Sequence, residues 1–466
     1  MAKKKYTSYQ PSKTLWQVEI PSHWQETDLR MVFSENKERN TGLIERNLLS
    51  LSYGKLKRKD IDNATGLVPA SFEGYQIIGN GYIVLRFTDL QNDKKSLRVG
   101  YSPERGIITN AYVAIAPKEN TFSKYYYYQL HFLDTIKYFY NLGGGVRQSL
   151  SYKEFGRETV IVPEPEEQTK ISAFLDYKLT KIDRFILKKK QLIKLLNEQK
   201  AAIINQAVTK GLDSNAKMKT SGIELLGEVP NHWEIKPLKY FATHNDEALP
   251  NSTDKNYSLK YIDISNVDRD GNINEVVEYA FKDAPSRARR VVKNGDVIIS
   301  TVRTYLKAIA RIVDDKDIIV STGFAVLRPK SSIESEFLNY VVRANYFIED
   351  VCSNSYGVSY PAINASDLVT LKLAIPDTVF EQQKIVQSIK VDVEIVEKTI
   401  STIEKEITLT QEYKTALIAE AVTGKIDVRD FEVPETLEDE SYEDIEEELS
   451  LEAEGEAEYQ NEDIEE

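Results

Sequence analysis

The chain states nearly the same thing twice. Glu19-Ile20-Pro21-Ser22-His23-Trp24 returns as Glu228-Val229-Pro230-Asn231-His232-Trp233, a shift of 209, and Leu29-Arg30 returns as Leu238-Lys239. Farther along, Asn80-Gly81 matches Asn294-Gly295, Glu167-Gln168 matches Glu381-Gln382, and Ala207-Val208-Thr209 matches Ala421-Val422-Thr423, all at a shift of 214. Solenoid units run to a few tens of residues, so a period this long is a duplicated domain. Two related modules on one chain imply two related sites.

A chain of 466 residues allows two to four domains, and each repeat is long enough to bury its own core. No apolar run approaches the roughly 18 residues of a membrane span. The first residues carry three lysines and no apolar core, so no secretory signal is read there. A single cysteine, Cys352, excludes an internal disulfide and a thiolate zinc cluster and fits a reducing, cytoplasmic setting. The net charge of −13 is misleading, because residues 435–466 hold 17 acidic residues and no basic one. The remaining chain is mildly basic. Such an acidic tail repels itself and is expected to be disordered, either as a solubilising segment or as a polyanion competing with nucleic acid for the basic body.

Each repeat reads as a Pro-x-His-Trp lead-in, a β-rich mixed region and a long charged helix. In the first mixed region, 81–87 after an Asn-Gly turn and 107–115 read as buried strands; 295–300 and 323–327 answer in the second. Residues 122–140 and 333–351 read as short helices on those sheets. The long helices show heptads. The first core holds Leu175, Leu179, Ile182, Ile186, Ile193 and Leu196; the second holds Ile389, Val393, Val396, Ile400, Ile403 and Ile407. The expected fold is α+β, with two globular mixed α/β domains separated by two long antiparallel coiled-coil helices and an internal pseudo-two-fold repeat. The alternative is that each helix packs only on its own domain. Boundaries are set at 1–165 for the first domain with its lead-in, 166–212 for the first helix, 213–378 for the second domain, 379–428 for the second helix and 429–466 for the tail.

Catalytic signatures are missing. There is no GxxxxGK[ST] phosphate loop, no GxSxG nucleophile elbow and no Asn-Pro-Pro-Tyr or Asp-Pro-Pro-Tyr methyltransferase motif. The four histidines show no metal spacing, so no catalytic or metal residue is assigned. His23 and His232 recur beside tryptophans and are read as structural. Basic residues interleaved with aromatics do stand out. The first region has Lys55, Lys57, Arg58, Arg86, Lys94, Lys95, Arg98, Arg105, Arg147 and Gln148; the second has Arg287, Arg289, Arg290, Arg303, Lys307 and Arg311. Lys and Arg neutralise phosphates, and Arg and Gln can also read base edges. These are the candidate DNA-binding residues; the competing reading is an ordinary solvated face.

The constellation resembles the specificity subunit of type I restriction–modification enzymes. Residues 201–212, ending Ala207-Val208-Thr209-Lys210-Gly211-Leu212, are similar to the end of that family's central helix. Residues 218–233, with Ser221-Gly222-Ile223-Glu224 and the Pro-Asn-His-Trp turn, are similar to its passage into the second target-recognition domain. Val160-Ile161-Val162-Pro163 and Leu373-Ala374-Ile375-Pro376, each leading to Glu-Gln, match the approach to each helix. The first lead-in departs from the pattern, as does the acidic tail. The resemblance implies a non-catalytic subunit. Each target-recognition domain would read one half of a bipartite, asymmetric site in double-stranded DNA. The helices would set the spacer and dock two modification (methyltransferase) subunits, with restriction and translocase subunits joining. No cofactor would be bound by this chain; S-adenosylmethionine, ATP and Mg2+ would sit in partner subunits. The alternatives are an enzyme in its own right and a coiled-coil scaffold that binds only protein.

Overall fold

The computed structural model describes residues 4–434 apart from 53, 63–68, 70, 89, 91–96, 143–148, 315 and 358–359. The acidic tail therefore lies outside the described residues. The chain forms two compact units, one built from residues 4–189 with 405–434 and the other from 190–404.

The first unit holds two four-stranded sheets. One is antiparallel throughout, in the order Phe33–Glu35, Val113–Pro117, Ile83–Leu85, Val99–Tyr101. The other runs Lys55–Lys59, Leu48–Ser52, Gly106–Ile108, Gln76–Ile78, with one parallel pairing, Ile107 against Leu48. The second unit repeats this order strand for strand. Its antiparallel sheet is Ala242–His244, Phe324–Pro329, Val297–Ser300, Ile309–Arg311; its mixed sheet is Val277–Ala280, Ser258–Ile262, Ile318–Ser321, Ala288–Val291. The strand Ser258–Ile262 pairs parallel with Ile318–Ser321, as its counterpart does.

The buried runs read from the sequence are central strands covered on both faces. Ile83 and Leu85 point into the main core of the first unit, and Val84 points into a separate smaller core. Val297 and Ile299 divide from Ile298 in the same way. Strand alternation thus sends neighbouring apolar side chains into different layers. One expectation needs correction. Residues 107–115 are not one strand: Gly106–Ile108 and Val113–Pro117 lie in different sheets. The chain turns between them, with the Tyr112 N–H donating to the Thr109 carbonyl. The Thr-Asn-Ala segment inside this apolar run is a turn, which Asn tolerates well.

The long helices are α1, Pro165–Lys210, and α2, Val379–Val422. In the first unit the early part of α1 lies against the late part of α2. Lys414 Nζ donates to Asp183 at 2.6 Å and Lys189 pairs with Glu406 at 2.7 Å, so the pairing is antiparallel. The second unit shows the same direction: Lys200 meets Glu397, and Ile204 and Val208 share a core with Val393 and Ile389. Leu175, Leu179, Ile182, Ile186, Ile389, Val396 and Ile403 are buried. Ile193, Leu196, Val393, Ile400 and Ile407 are half-buried. Lys189, Lys200 and Lys414 interrupt the apolar heptad positions, and each meets an acid on the facing helix.

The recurring Trp explains the recurring lead-in. Trp24 is buried with Ala421 and Val422 from the end of α2, and Trp233 with Ala207 and Val208 from the end of α1. Beside these indoles the chain leaves each helix through Gly424 and Gly211, both at φ 73°. A Cβ on Gly424 would lie 2.4 Å from Pro21 Cδ and 3.1 Å from Trp24, so glycine is needed both for its backbone angle and for the close approach.

Gly424→Ala should therefore destabilise the first unit by about 2–4 kcal/mol, combining the left-handed backbone penalty with overpacking. Gly222 has φ +68°, but a Cβ added there would meet nothing within 4 Å among the described residues beyond its chain neighbours. Gly222→Ala should cost only about 1–2 kcal/mol. Denaturant midpoints of the two variants separate the crowding from the backbone effect.

Candidate nucleic-acid interface

The sheets present loops, and the predicted basic residues fall into distinct groups on them. In the first unit Lys55, Lys57 and Lys59 share one face of the edge strand Lys55–Lys59, across from Ser52, Ser50 and Leu48. Leu56, on the opposite face, packs against the small core containing Leu49 and Leu51. Alternation therefore lines three ammonium groups along one side of an edge. Arg58, on the Leu56 side, forks onto Glu104. Arg105 is exposed and lies 3.2 Å from Glu45 and 3.3 Å from Glu38. Arg86 is half-buried. Lys94, Lys95, Arg147 and Gln148 lie outside the described residues.

Arg98 is a correction. It is fully buried. Its Nε donates to the Tyr140 hydroxyl at 2.9 Å, its Nη1 donates to the carbonyls of Arg86 at 3.1 Å and Thr88 at 2.8 Å, and its backbone N–H donates to Asp134. Burial pushes the Asp134 carboxyl up, opposed by this N–H and by the guanidinium charge. Arg98 thus ties the 86–98 connection to the helix Ser123–Thr135 and does not face a phosphate. Sequence placed it among basic residues; only the fold shows that its fork is filled by carbonyls.

In the second unit Arg287 is exposed beside the strand Ala288–Val291. Arg289 lies 4.7 Å from the Phe281 ring centre. Arg290 is half-buried, and its Nε has no hydrogen-bond partner among the described residues. Arg311 Nε donates to Ser335 Oγ at 2.8 Å, and that hydroxyl donates on to the Gly295 carbonyl at 2.6 Å; this joins sheet to helix. Arg303 and Lys307 bracket a single helical turn, Thr304–Leu306, with both bracketing residues left-handed at φ 51° and 59°. Arg303 stacks 4.6 Å from the Tyr360 ring centre. Tyr305, Leu306, Tyr356 and Tyr360 around this turn are exposed. Sequence reasoning does not single out the three tyrosines, although Tyr305 sits between two cations, Arg303 and Lys307, shortly after the buried strand Val297–Ser300.

His23 and His232 occupy matching structural sites. His23 Nε2 lies 2.9 Å from Glu167, and His232 Nε2 lies 2.9 Å from Glu381. Each ties its lead-in to the first turn of the helix that follows its own domain. The Trp233 indole N–H also donates to Glu381, at 3.1 Å. In the first unit Tyr6 donates to Glu167 instead, and the Trp24 indole N–H has no hydrogen-bond partner among the described residues. His232, Asp377 and Glu381 are close enough to meet a metal ion. Asp377 is exposed, however, and Glu381 already accepts from His232 and Trp233, so the role the two units share is to fix the lead-in through the His–Glu pair.

Two units with one framework, carrying basic and aromatic loops, define a DNA-reading class of protein. The family model for the type I restriction modification DNA specificity domain matches residues 79–197 and 230–409, most of the chain and a stretch in each repeat. The chain belongs to this family; it is a DNA specificity subunit, with catalytic activity residing in other subunits. It is 24% identical over 338 residues to the type I restriction enzyme MjaVIII specificity subunit of Methanocaldococcus jannaschii, covering 70% of this chain and 76% of that one. It is 30% identical over 106 residues to the HindI specificity subunit of Haemophilus influenzae, covering 22% and 23% of the two chains. A solved chain from work on complex assembly and conformational transition of the type I R-M system shares the fold, with a TM-score of 0.62 at 15% identity, covering 87% of this chain and 99% of that one. Among the described residues no helix is long and apolar enough to cross a membrane.

Arg98→Leu should destabilise the first unit by about 2–4 kcal/mol, because buried acceptors lose their donor. At a temperature where the variant stays folded, the salt dependence of its DNA binding should match that of the parent chain. Thermal melts and salt titrations check the two halves of this expectation.

Proposed function

We propose that each mixed domain reads one half of a bipartite, asymmetric sequence in double-stranded DNA, and that the paired helices set the unread spacer and dock two modification subunits. The observation that carries this is a shared frame with unlike loops. Corresponding strands are joined through residues 86–98 in one unit and 301–308 in the other, and each connection is closed by a matching backbone bond, Arg86 N–H to the Arg98 carbonyl and Ser300 N–H to the Ala308 carbonyl, both 2.9 Å. Unlike loops suit an asymmetric sequence; like frames suit two equivalent partners.

The energetics favour two coupled readers. A wrong base pair costs roughly 1–3 kcal/mol, so a short half-site discriminates weakly alone. A second reader on the same chain adds its discrimination without a second full association cost. The exposed Lys59, Arg105 and Arg287 and the half-buried Lys57 serve phosphates in this reading, supplying affinity without sequence information. S-adenosylmethionine belongs to the modification subunits, and ATP and Mg2+ to restriction and translocase subunits that join the complex. The assembly works on DNA in the cytoplasm.

The helices give the test. Residues 190–196 of α1 fall between Lys189 and Lys200, and residues 398–404 of α2 fall between their partners Glu397 and Glu406, so one heptad can be taken from each helix. Deleting both heptads removes about 10 Å of rise. The preferred spacer should shorten by about three base pairs, with weaker binding because three base pairs also turn the duplex by roughly 100°. Mapping methylated sites in cells carrying the deleted chain should show both half-sites unchanged. An unaltered spacer overturns the ruler role.

A further inference from the structure

The loop around Tyr305 is built differently from the other basic surfaces. Most of those form strand edges or ion pairs, whereas this one is a strained tip. Arg303 and Lys307 are bulky residues held left-handed on either side of one helical turn, a conformation that non-glycine residues adopt rarely and at a cost. Several contacts impose it. The Arg303 N–H donates to the Pro361 carbonyl at 2.8 Å, and Val302 bridges to Ala362. Thr304 is buried, with its hydroxyl 3.0 Å from that of Ser355. Ala362 also bridges to Tyr356, so the segments around Arg303 and Tyr356 are clamped together.

The clamp turns its apolar groups outward. Tyr305 is 53% exposed, Leu306 43%, Tyr356 77% and Tyr360 58%. A strained turn whose inner residue is buried and whose outer residues are aromatic and apolar does not serve the core. Beside it the Arg303 guanidinium stacks on Tyr360, which holds a planar fork in one orientation. Aromatic and apolar side chains on a rigid tip, flanked by cations, suit contact with base edges and thymine methyl groups between phosphates.

We propose that the turn Thr304–Leu306, with Arg303 stacked on Tyr360, is the base-reading element of the second unit: Tyr305 and Leu306 contact base edges, the Arg303 fork reads a guanine, and Lys307 contacts phosphate. This rests on the reading of the second domain as a half-site reader. The corresponding connection in the first unit, 86–98, has another length and composition and anchors itself through Arg98. The two units therefore read through unlike elements rising from the same place in the frame.

The test uses the full chain assembled with its modification subunits and a DNA library randomised across both half-sites. Tyr305→Ala and Arg303→Lys are each expected to lower selectivity at least tenfold at one or two positions of one half-site, leaving the other half-site as in the parent. Lys307→Ala should weaken binding evenly across sequences and reduce the salt slope by about 1. Tyr240→Ala, at another exposed tyrosine of the same unit (58% exposed), should change neither. Melting curves accompany every variant, and Tyr305→Phe provides a conservative check that ring contact is retained. If the parent complex selects a sequence and Tyr305→Ala and Arg303→Lys keep its preference at every position, the assignment of this turn is overturned. If the parent complex selects no sequence, the half-site reading itself falls.

Discussion

Neither domain completes its core without the last turns of the helix that follows the other domain. Trp24 is buried against Val422 at the end of α2, and Trp233 against Val208 at the end of α1. Burying an indole contributes on the order of several kcal/mol, judged by the cost of truncating one. The start of each helix is fixed to its own domain through Glu167 or Glu381, and its end is fixed under the other domain's tryptophan. This reciprocal arrangement makes the duplication a mechanical device. Each unit is defined by two half-helices, and the antiparallel pairing within each unit follows from where the tryptophans sit.

The interhelical contact carries its own register. A purely apolar heptad face permits slippage by a heptad. Lysines at heptad positions oppose this only if their partners are in place, and Lys414–Asp183, Lys189–Glu406 and Lys200–Glu397 all fit one antiparallel alignment. Exposed pairs such as Lys200–Glu397 contribute little stability individually. Asp183 differs, because its carboxylate is almost fully buried and accepts two bonds from Lys414, at 2.6 and 2.8 Å. Shifting the register would leave that charge buried without its partner, which costs far more than the pair gains. The alignment is thus specified by the penalty for the wrong one, a well-attested use of polar residues in coiled coils.

What the sequence made legible follows from which signals are local. The heptads were readable because burial along a helix repeats with the chain, and the recurring Pro-x-His-Trp was readable because both copies pack the same way. The 107–115 run was misread because a turn through Thr109 and Asn110 hides among apolar residues that belong to two sheets. Arg98 could not be told from its basic neighbours, since its burial depends on Tyr140, Asp134 and the carbonyls of Arg86 and Thr88 meeting in space. The exposed aromatics near Arg303 were invisible for the converse reason: an apolar side chain in sequence reads as core, and only the fold shows Tyr305 and Tyr356 turned outward.

The frame also explains how the two units can differ in these connections. In each unit the divergent connection is closed at its base by one backbone hydrogen bond between the same pair of strands. Beyond that bond the loop can lengthen or change composition while the flanking strands keep their ladder and their buried faces, Ile83 to Leu85 in one unit and Val297 to Ser300 in the other. Loop-closure entropy grows only slowly with length, by about 0.6 kcal/mol per doubling. A changed loop therefore costs little stability, provided it finds an anchor. The two units have found different ones, Arg98 in a cage of carbonyls and Thr304 against Ser355. The difference between the two connections and the likeness of the two helix-end contacts are consequences of one design, in which the unlike residues lie beyond a closed strand pair and the repeated contacts lie beneath a tryptophan.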